Sequence, residues 1–204
     1  MFIPDFVQQE DDYKACIDFH GHTCMGVTIG YLAAKLALEW LAATRAKDEE
    51  LIAIVENDAC CCDAIQVLTG CTFGKGNFFF RDYGKMVFTF GNRATGEAIR
   101  LVLNQEAFSI PEEEQQLAKR IGSGHASNAE KQKYQDLFES RSEKLFQQGP
   151  GAFFSVEKIA LTLPPHATRA PSTPCELCKE MVMETKLEDR DGQKICRGCL
   201  ASNL

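Results

Sequence analysis

The sequence predicts an α+β protein: a mixed sheet flanked by one long helix, with a helical insertion and a small four-cysteine unit near the C-terminal end. Three observations carry that reading. Across residues 26–46 the apolar side chains Val27, Tyr31, Leu32, Leu36, Trp40 and Leu41 recur near helical spacing. Short branched or alternating apolar runs, foremost Leu51–Val55, have the length and make-up of strands. Two Cys-x-x-Cys pairs, Cys175/Cys178 and Cys196/Cys199, stand near the chain end with seventeen residues between them.

The elements follow in order. Residues 11–19 read as a short amphipathic helix after Pro4, and residues 20–26 as a polar, glycine-containing loop. The helix over 26–46 carries a stripe of small residues (Gly26, Gly30, Ala33, Ala34, Ala37) that permits close approach of a neighbour. After the buried strand Leu51–Val55 and Glu56-Asn57-Asp58 come three consecutive cysteines, Cys60 to Cys62, then a short helix over 63–68. A glycine-rich loop over 71–77 leads to a hairpin expected around Gly84, with strands 78–83 and 85–90. A further strand is expected at 97–103. Residues 111–148, rich in Glu, Gln and Lys with spaced Leu and Phe, read as a helical insertion broken near 122–128, and 152–163 returns to a strand pattern. Four prolines in residues 164–174 suggest a semi-extended linker, so the expected division is a core over 1–163, the linker, and a zinc ribbon over 175–204.

Composition sets limits. With 204 residues, 45% hydrophobic and 25% charged, the chain has room for one domain and an appendage. A net charge of −7 repels phosphate backbones, which argues against nucleic acid as a main partner. The longest apolar stretch, 31–43, is interrupted by Lys35 and Glu39, so no membrane span is expected. No basic and apolar leader is evident at the start. Ten cysteines without one suggest a reducing cytoplasm, where thiols serve as ligands or catalysts.

The paired C-terminal cysteines have the spacing of a structural zinc site: each knuckle offers two thiolates, and together they close a tetrahedral S4 shell. Metal binding would supply folding energy that thirty or so residues cannot obtain from apolar burial. A hairpin turning at Asp191-Gly192 fits between the knuckles. In this tail Lys179, Lys186, Arg190, Lys194 and Arg197 are outnumbered by acids, which again disfavours DNA.

A second constellation lies near the N-terminus. His20, His22 and Cys24 alternate, so an extended segment would place them on one face. Cys24 at a helix start would be favoured as a thiolate. Cys60, beyond the carboxyl end of the apolar strand, offers a further thiol, and His20, His22, Cys24 and Cys60 are the candidate ligands of a core metal, zinc or another transition ion. Cys61 and Cys62 cannot point the same way as Cys60, so which of the three binds stays open. Asp63 would either orient a ligand histidine or cap the following helix. Cys16 reads as core. The loop from Gly70 to Gly76 is not a phosphate loop: its spacing is one residue short, no Ser or Thr follows Lys75, and a strand comes next.

Three segments, HGHTCMGVTIGYLAAK, CCCDAIQVLTGCTFGKGN and RDYGKMVFTFGNRATGEAIRL, together resemble the E-subunit family of formylmethanofuran dehydrogenase over about residues 13–105. The resemblance implies an α+β core, a dimer, and a metal-binding, active-site-like cleft with His20, His22, Cys24 and Cys60 at its candidate positions. Cys71 and Lys75 match the family's GCTxGKGN loop, which adds them to Cys60 as catalytic candidates, with Lys75 neutralising developing negative charge. Some members carry an appended zinc finger. Met25 stands where the family usually has Pro, and Cys61 and Cys62 are additional thiols. The family's name derives from association with a molybdenum or tungsten enzyme of one-carbon metabolism, whose pterin chemistry this chain could not run alone.

Two functions follow as expectations. One is a metal-dependent enzyme or oxidoreductase accessory subunit in one-carbon or formyl metabolism, with an open metal position. The other is a non-enzymatic metal carrier, or an assembly and docking module for a molybdenum or tungsten dehydrogenase. A homodimer is expected on either, through the small-residue stripe and the aromatic run 78–80.

Overall fold

Tyr13, Cys16 and Ile17 lie on one side of helix α1 (Asp11–His20) and are fully buried, which seats this helix against the two helices that follow it, Met25–Trp40 and Cys61–Thr69. The computed structural model describes residues 11–104, 106 and 109–201; the expectations for residues 1–10, Pro4 and the leader included, fall outside them. Contacts divide the chain into two compact units, Met1–His166 and Ala167–Leu204.

In the first unit α2 (Met25–Trp40) is apolar almost all round, with Val27, Tyr31, Leu32, Leu36 and Ala37 among its buried residues. It stops sooner than periodicity suggests. Leu41 closes the last turn and Ala42 takes φ +44°, a left-handed conformation that no Gly or Asn announces. Strand β1 (Leu51–Val55) is buried along its whole length, as a central strand covered on both sides must be. Helix α3 (Cys61–Thr69) ends at Gly70, whose φ of +69° supplies the left-handed cap.

The expected hairpin around Gly84 does not form. Strand β2 (Phe78–Phe80) pairs parallel with β1, Ala53 opposite Phe78, while β3 (Val87–Asn92) pairs antiparallel with β1 on its other side. Residues 81–86 cross the end of β1: Arg81 N–H donates to the Val55 carbonyl and Lys85 N–H to that of Glu56. The alternation in both runs is real, but it cannot specify the partner, and β1 satisfies both edges. Strands β4 (Ala98–Leu103) and β5 (Phe154–Ile159) complete the order β2-β1-β3-β4-β5.

Ala53, Val55, Phe88, Phe90, Ile99 and Leu101 form one sheet face and join the core with α1, α2 and α3. Ile52, Ile54 and Val87 on the opposite face are buried as well. Chain returning from β5 crosses there: a Cβ at Gly91 would lie 2.7 Å from Leu163 Cδ2, and the Arg93 guanidinium donates to the carbonyls of Pro164 and Pro165 at 2.7 and 3.3 Å.

The insertion comprises α4 (Glu112–Gly122) and α5 (Asn128–Gln148), broken at 123–127 where Ser127 and Glu130 build a capping box. The second unit holds two hairpins, β6 (Ser172–Pro174) with β7 (Met181–Met183) and β8 (Leu187–Arg190) with β9 (Gln193–Cys196), then α6 (Arg197–Ala201). Asp191 and Gly192 turn the latter with φ of +53° and +83°, the paired positive values of a two-residue hairpin turn. Among the described residues no helix is long and apolar enough to cross a membrane.

Candidate metal centre

Two helix starts meet because α2 lacks side chains where they touch. A Cβ on Gly30 would sit 2.1 Å from the Cys61 carbonyl oxygen, and one on Gly26 would sit 2.8 Å from Cys60 Cβ. The small-residue stripe is therefore used inside the subunit, against the Cys60–Cys61 backbone, and gives a second copy no exposed face. Phe80 remains 48% exposed on the edge strand. From α1 the chain enters this junction through Gly21, at φ +94°, and runs extended through Cys24, the residue that precedes α2.

Here His20, Cys24 and Cys60 converge, their donor atoms all within 4.8 Å of one another. His20 Nε2 stands 3.7 Å from Cys24 Sγ. Zinc bonds of 2.0–2.3 Å imply tetrahedral edges of about 3.6 Å, so the spacing suits ligands of one ion. His20 Nδ1 lies 2.7 Å from Asp63 Oδ2. The carboxylate accepts from Nδ1–H, which leaves Nε2 with its lone pair turned to the thiols, the arrangement in which an acid partner orients a ligand histidine.

Of the neighbouring thiols, Cys60 joins the set. Cys61 is buried, donates to Asn57 Oδ1 at 3.1 Å, and is held protonated by its hydrogen bond with Cys62 and by burial. Cys62 donates to the Asn57 carbonyl at 3.3 Å. The Cys24 thiol departs from expectation: burial pushes it above its ordinary range, outweighing the N–H groups of Val27 and Gly26 at the helix start. A bound cation would reverse that balance, since a coordinating thiol loses its proton outright.

His22 lies outside the three-residue set. Its ring is tilted beside that of His20, centroids 4.4 Å apart, and its side chain is exposed. Cys71 and Lys75 do not reach the cluster. Cys71 is fully buried at the far end of α3, a helix of roughly 13 Å, and burial pushes its thiol up to about 11. Lys75 Nζ donates to the carbonyls of Ala46, Lys47 and Asp48 at 3.2, 3.4 and 3.2 Å. Asn77, fully buried, donates to Asp48 and Leu51. The glycine loop thus fastens the entry to β1, the opposite end of that strand from Cys60.

A cavity of about 350 Å³ opens beside the cluster, with His22, Thr23 and Cys24 in one wall. Ile121, Lys131, Tyr134, Gln135 and Phe138 of the insertion form the other. Sequence reasoning missed these five. Their only signal is the amphipathic spacing of α4 and α5, which does not say what the inner face covers.

In the second unit Cys175, Cys178, Cys196 and Cys199 also bring their Sγ atoms within 4.8 Å of one another. The backbone N–H of Cys196 donates to Cys175 Sγ at 3.3 Å and that of Cys199 to Cys196 Sγ at 3.4 Å. The Cys196 N–H, with those of Cys178 and Leu177 helping, holds the Cys175 thiol down at about 6. Four thiols around so small an apolar core, with Ile195 buried among them, suit a closed metal shell.

Fold and donor clusters together define an α+β protein with two groups of side chains able to hold a metal ion. The chain belongs to the FmdE family: residues 19–155 match the family described as "FmdE, Molybdenum formylmethanofuran dehydrogenase operon". It is 28% identical over 192 residues to a protein of Archaeoglobus fulgidus named "Probable S-adenosyl-L-methionine-binding protein". That match takes in 91% of this chain and 51% of the relative, so the chain spans about half the length of the curated relative it matches. The crystal structure of a tungsten formylmethanofuran dehydrogenase FmdE-like protein from Syntrophus aciditrophicus has the same fold, with a TM-score of 0.61 and 23% identity over 99% of this chain and 98% of that one.

Proposed function

We propose that His20, Cys24 and Cys60 hold one zinc or similar transition-metal ion, with its fourth position open to the cavity, in a protein serving formyl or one-carbon chemistry alongside a dehydrogenase. The observation that supports this most is the donor set itself: three ligand atoms within 4.8 Å, one of them an imidazole already oriented by Asp63. A three-ligand site with an open position is the catalytic rather than the structural pattern. When bound, such an ion polarises a carbonyl oxygen or lowers the pKa of water towards neutrality. The chain's own residues would orient His20 through Asp63, hold a substrate between His22 and the α5 side chains, and move a proton at the His22 ring. The four-cysteine unit, by contrast, would be a closed structural zinc site.

The test is metal content with coordination. The full chain should carry two ions, and Cys60→Ala should carry one. Substituted with cobalt(II), the core site should show a mixed nitrogen and sulfur spectrum that responds to added small ligands, and the tail an unresponsive all-sulfur spectrum. A single ion in the unmodified chain, or a core spectrum indifferent to every added ligand, would defeat the open-site reading. The name of the archaeal relative brings S-adenosyl-L-methionine into the same titrations as a candidate ligand of the cavity.

A further inference from the structure

We infer that the cavity selects a small organic acid: an apolar body between the helices, a metal-binding head at the Cys24 end, and a carboxylate at Lys131. This rests on the reading of His20, Cys24 and Cys60 as a metal site and adds to it the chemistry of the molecule that enters.

The insertion supplies charge and apolar surface to one space. Phe138 is buried and Tyr134 half-buried, and both face the cavity with Ile121. Flat apolar walls of this kind recognise the body of a small molecule, while a few polar groups set its orientation. Lys131 brings the cation. Of the insertion's cations, Arg120, Lys133 and Arg141 are paired with Glu130, Glu113 and Glu114, and among those without such a pair Lys131 is the one that lines the cavity. Lys131 has no acidic partner among the described residues. Its position also runs against helix stability, because it follows directly on the capping box in the first turns of α5, where the macrodipole favours acids. A positive charge on this wall suits an anion in the cavity.

The other wall carries the opposite requirement. Two thiolates and a divalent ion sum to zero charge, and Asp63 behind His20 adds one negative charge. A carboxylate placed directly at the cluster would therefore meet no net attraction, and the Lys131 end of the cavity is where it is favoured. The head that reaches the ion would be a thiol or a carbonyl oxygen, donors suited to such a site. A neutral molecule of the same shape would keep the head contact and lose the charge contact.

Two isosteric probes separate these parts. With cobalt(II)-loaded full-length protein, and the Cys60→Ala spectrum subtracted to remove the tail, 3-mercaptopropionate and 3-mercaptopropionamide are titrated against the absorbance of the core site. The acid should bind more tightly than the amide. Lys131→Gln should weaken the acid about three- to fivefold, as expected for one exposed charge pair, leave the amide unmoved, and be rescued by Lys131→Arg. Added salt should narrow the gap between the probes. Lys131 is exposed, so its replacement leaves the fold intact. Equal binding of both probes, or a Lys131→Gln variant that affects neither or both alike, would overturn the inference while leaving the metal site standing. A core spectrum that is absent altogether would instead strike at the metal reading.

Discussion

Asp63 Oδ2 lies 2.7 Å from Nδ1 of His20, forty-three positions away in sequence, and this contact decides which imidazole nitrogen is free. The first helical turn of α3 thereby sets the tautomer of a residue that ends α1. Its neighbour Cys60 belongs to the donor set and Cys61 supplies the backbone on which Gly30 rests, so a single turn holds one donor, the group that orients another, and the packing surface.

Replacing Asp63 by Asn should keep a hydrogen bond but lose the charge and the tautomer preference. Metal affinity at the core should fall about 10- to 100-fold, the usual cost of losing such a partner. Competition with a chromophoric chelator measures it, and the tail ion serves as an internal control.

Gly30→Ala places a methyl group 2.1 Å from the Cys61 carbonyl, too close for either helix to absorb without moving. A loss of about 1–3 kcal/mol or more is expected from overpacking, together with weakened core metal binding as α2 and α3 separate. Gly74→Ala, with nothing within 4 Å of the added atom, should change little. Denaturant melts of the two variants provide the comparison.

The Glu114–Arg141 pair joins α4 to α5, with the Glu114 side chain only 3% exposed. Burial raises the carboxyl of Glu114 and lowers the guanidinium of Arg141, and Arg141 Nε and Nη1 have no hydrogen-bond partner among the described residues. Glu114→Leu alone should destabilise by about 3–5 kcal/mol by leaving a buried charge unpaired, whereas Glu114→Leu with Arg141→Met should be close to neutral. A double-mutant cycle in urea checks both, and loss of the neutralising effect would show that the pair stabilises on its own account.

Alkali should unfold the first unit through its buried acids. Burial raises Cys16 from 9.0 to about 12, Cys71 from 9.0 to about 11 and Tyr13 from 10.0 to about 12. Each prefers its neutral form when folded, so the stability it contributes is complete below pH 9 and is lost as pH rises towards 11–12. Cys71 alone accounts for about 3 kcal/mol across that window. Stability of Cys71→Ala measured against pH should be lower at neutrality and fall less steeply above pH 9.

Cys175→Ser should remove one metal ion and unfold the second unit, which has little else to hold it, while the melting of Met1–His166 is unchanged. Metal analysis and a two-transition thermal scan would show it, and an unchanged ion count would refute the assignment of the tail.

Much of this was legible along the chain. Leu51–Val55 declared its strand by composition, the tail cysteines declared their cluster by spacing, and His20, Cys24 and Cys60 were nameable as donors because thiols and imidazoles are scarce and local motifs bring them near helix ends. The pairing of β2 was not legible, because alternation fixes which face a strand buries and says nothing of which edge it joins. Nor was the early end of α2, where Ala42 takes a left-handed turn that only the packing of residues 41–46 against α3 selects.

Donor chemistry, strand and helix type and the four-cysteine tail are properties of single residues and short spacings, and the sequence alone determined them. Which histidine joins the donor cluster, which of three adjacent thiols stands with it, and that the Lys75 ammonium reaches the Ala46–Asp48 carbonyls were decided by tertiary structure. Those outcomes depend on distances between segments tens of residues apart, set by two glycines that let α2 rest on the Cys60–Cys61 backbone and by the carboxylate of Asp63. No local pattern encodes such distances, because the same residues at the same spacing would serve equally well with the helices one turn out of register.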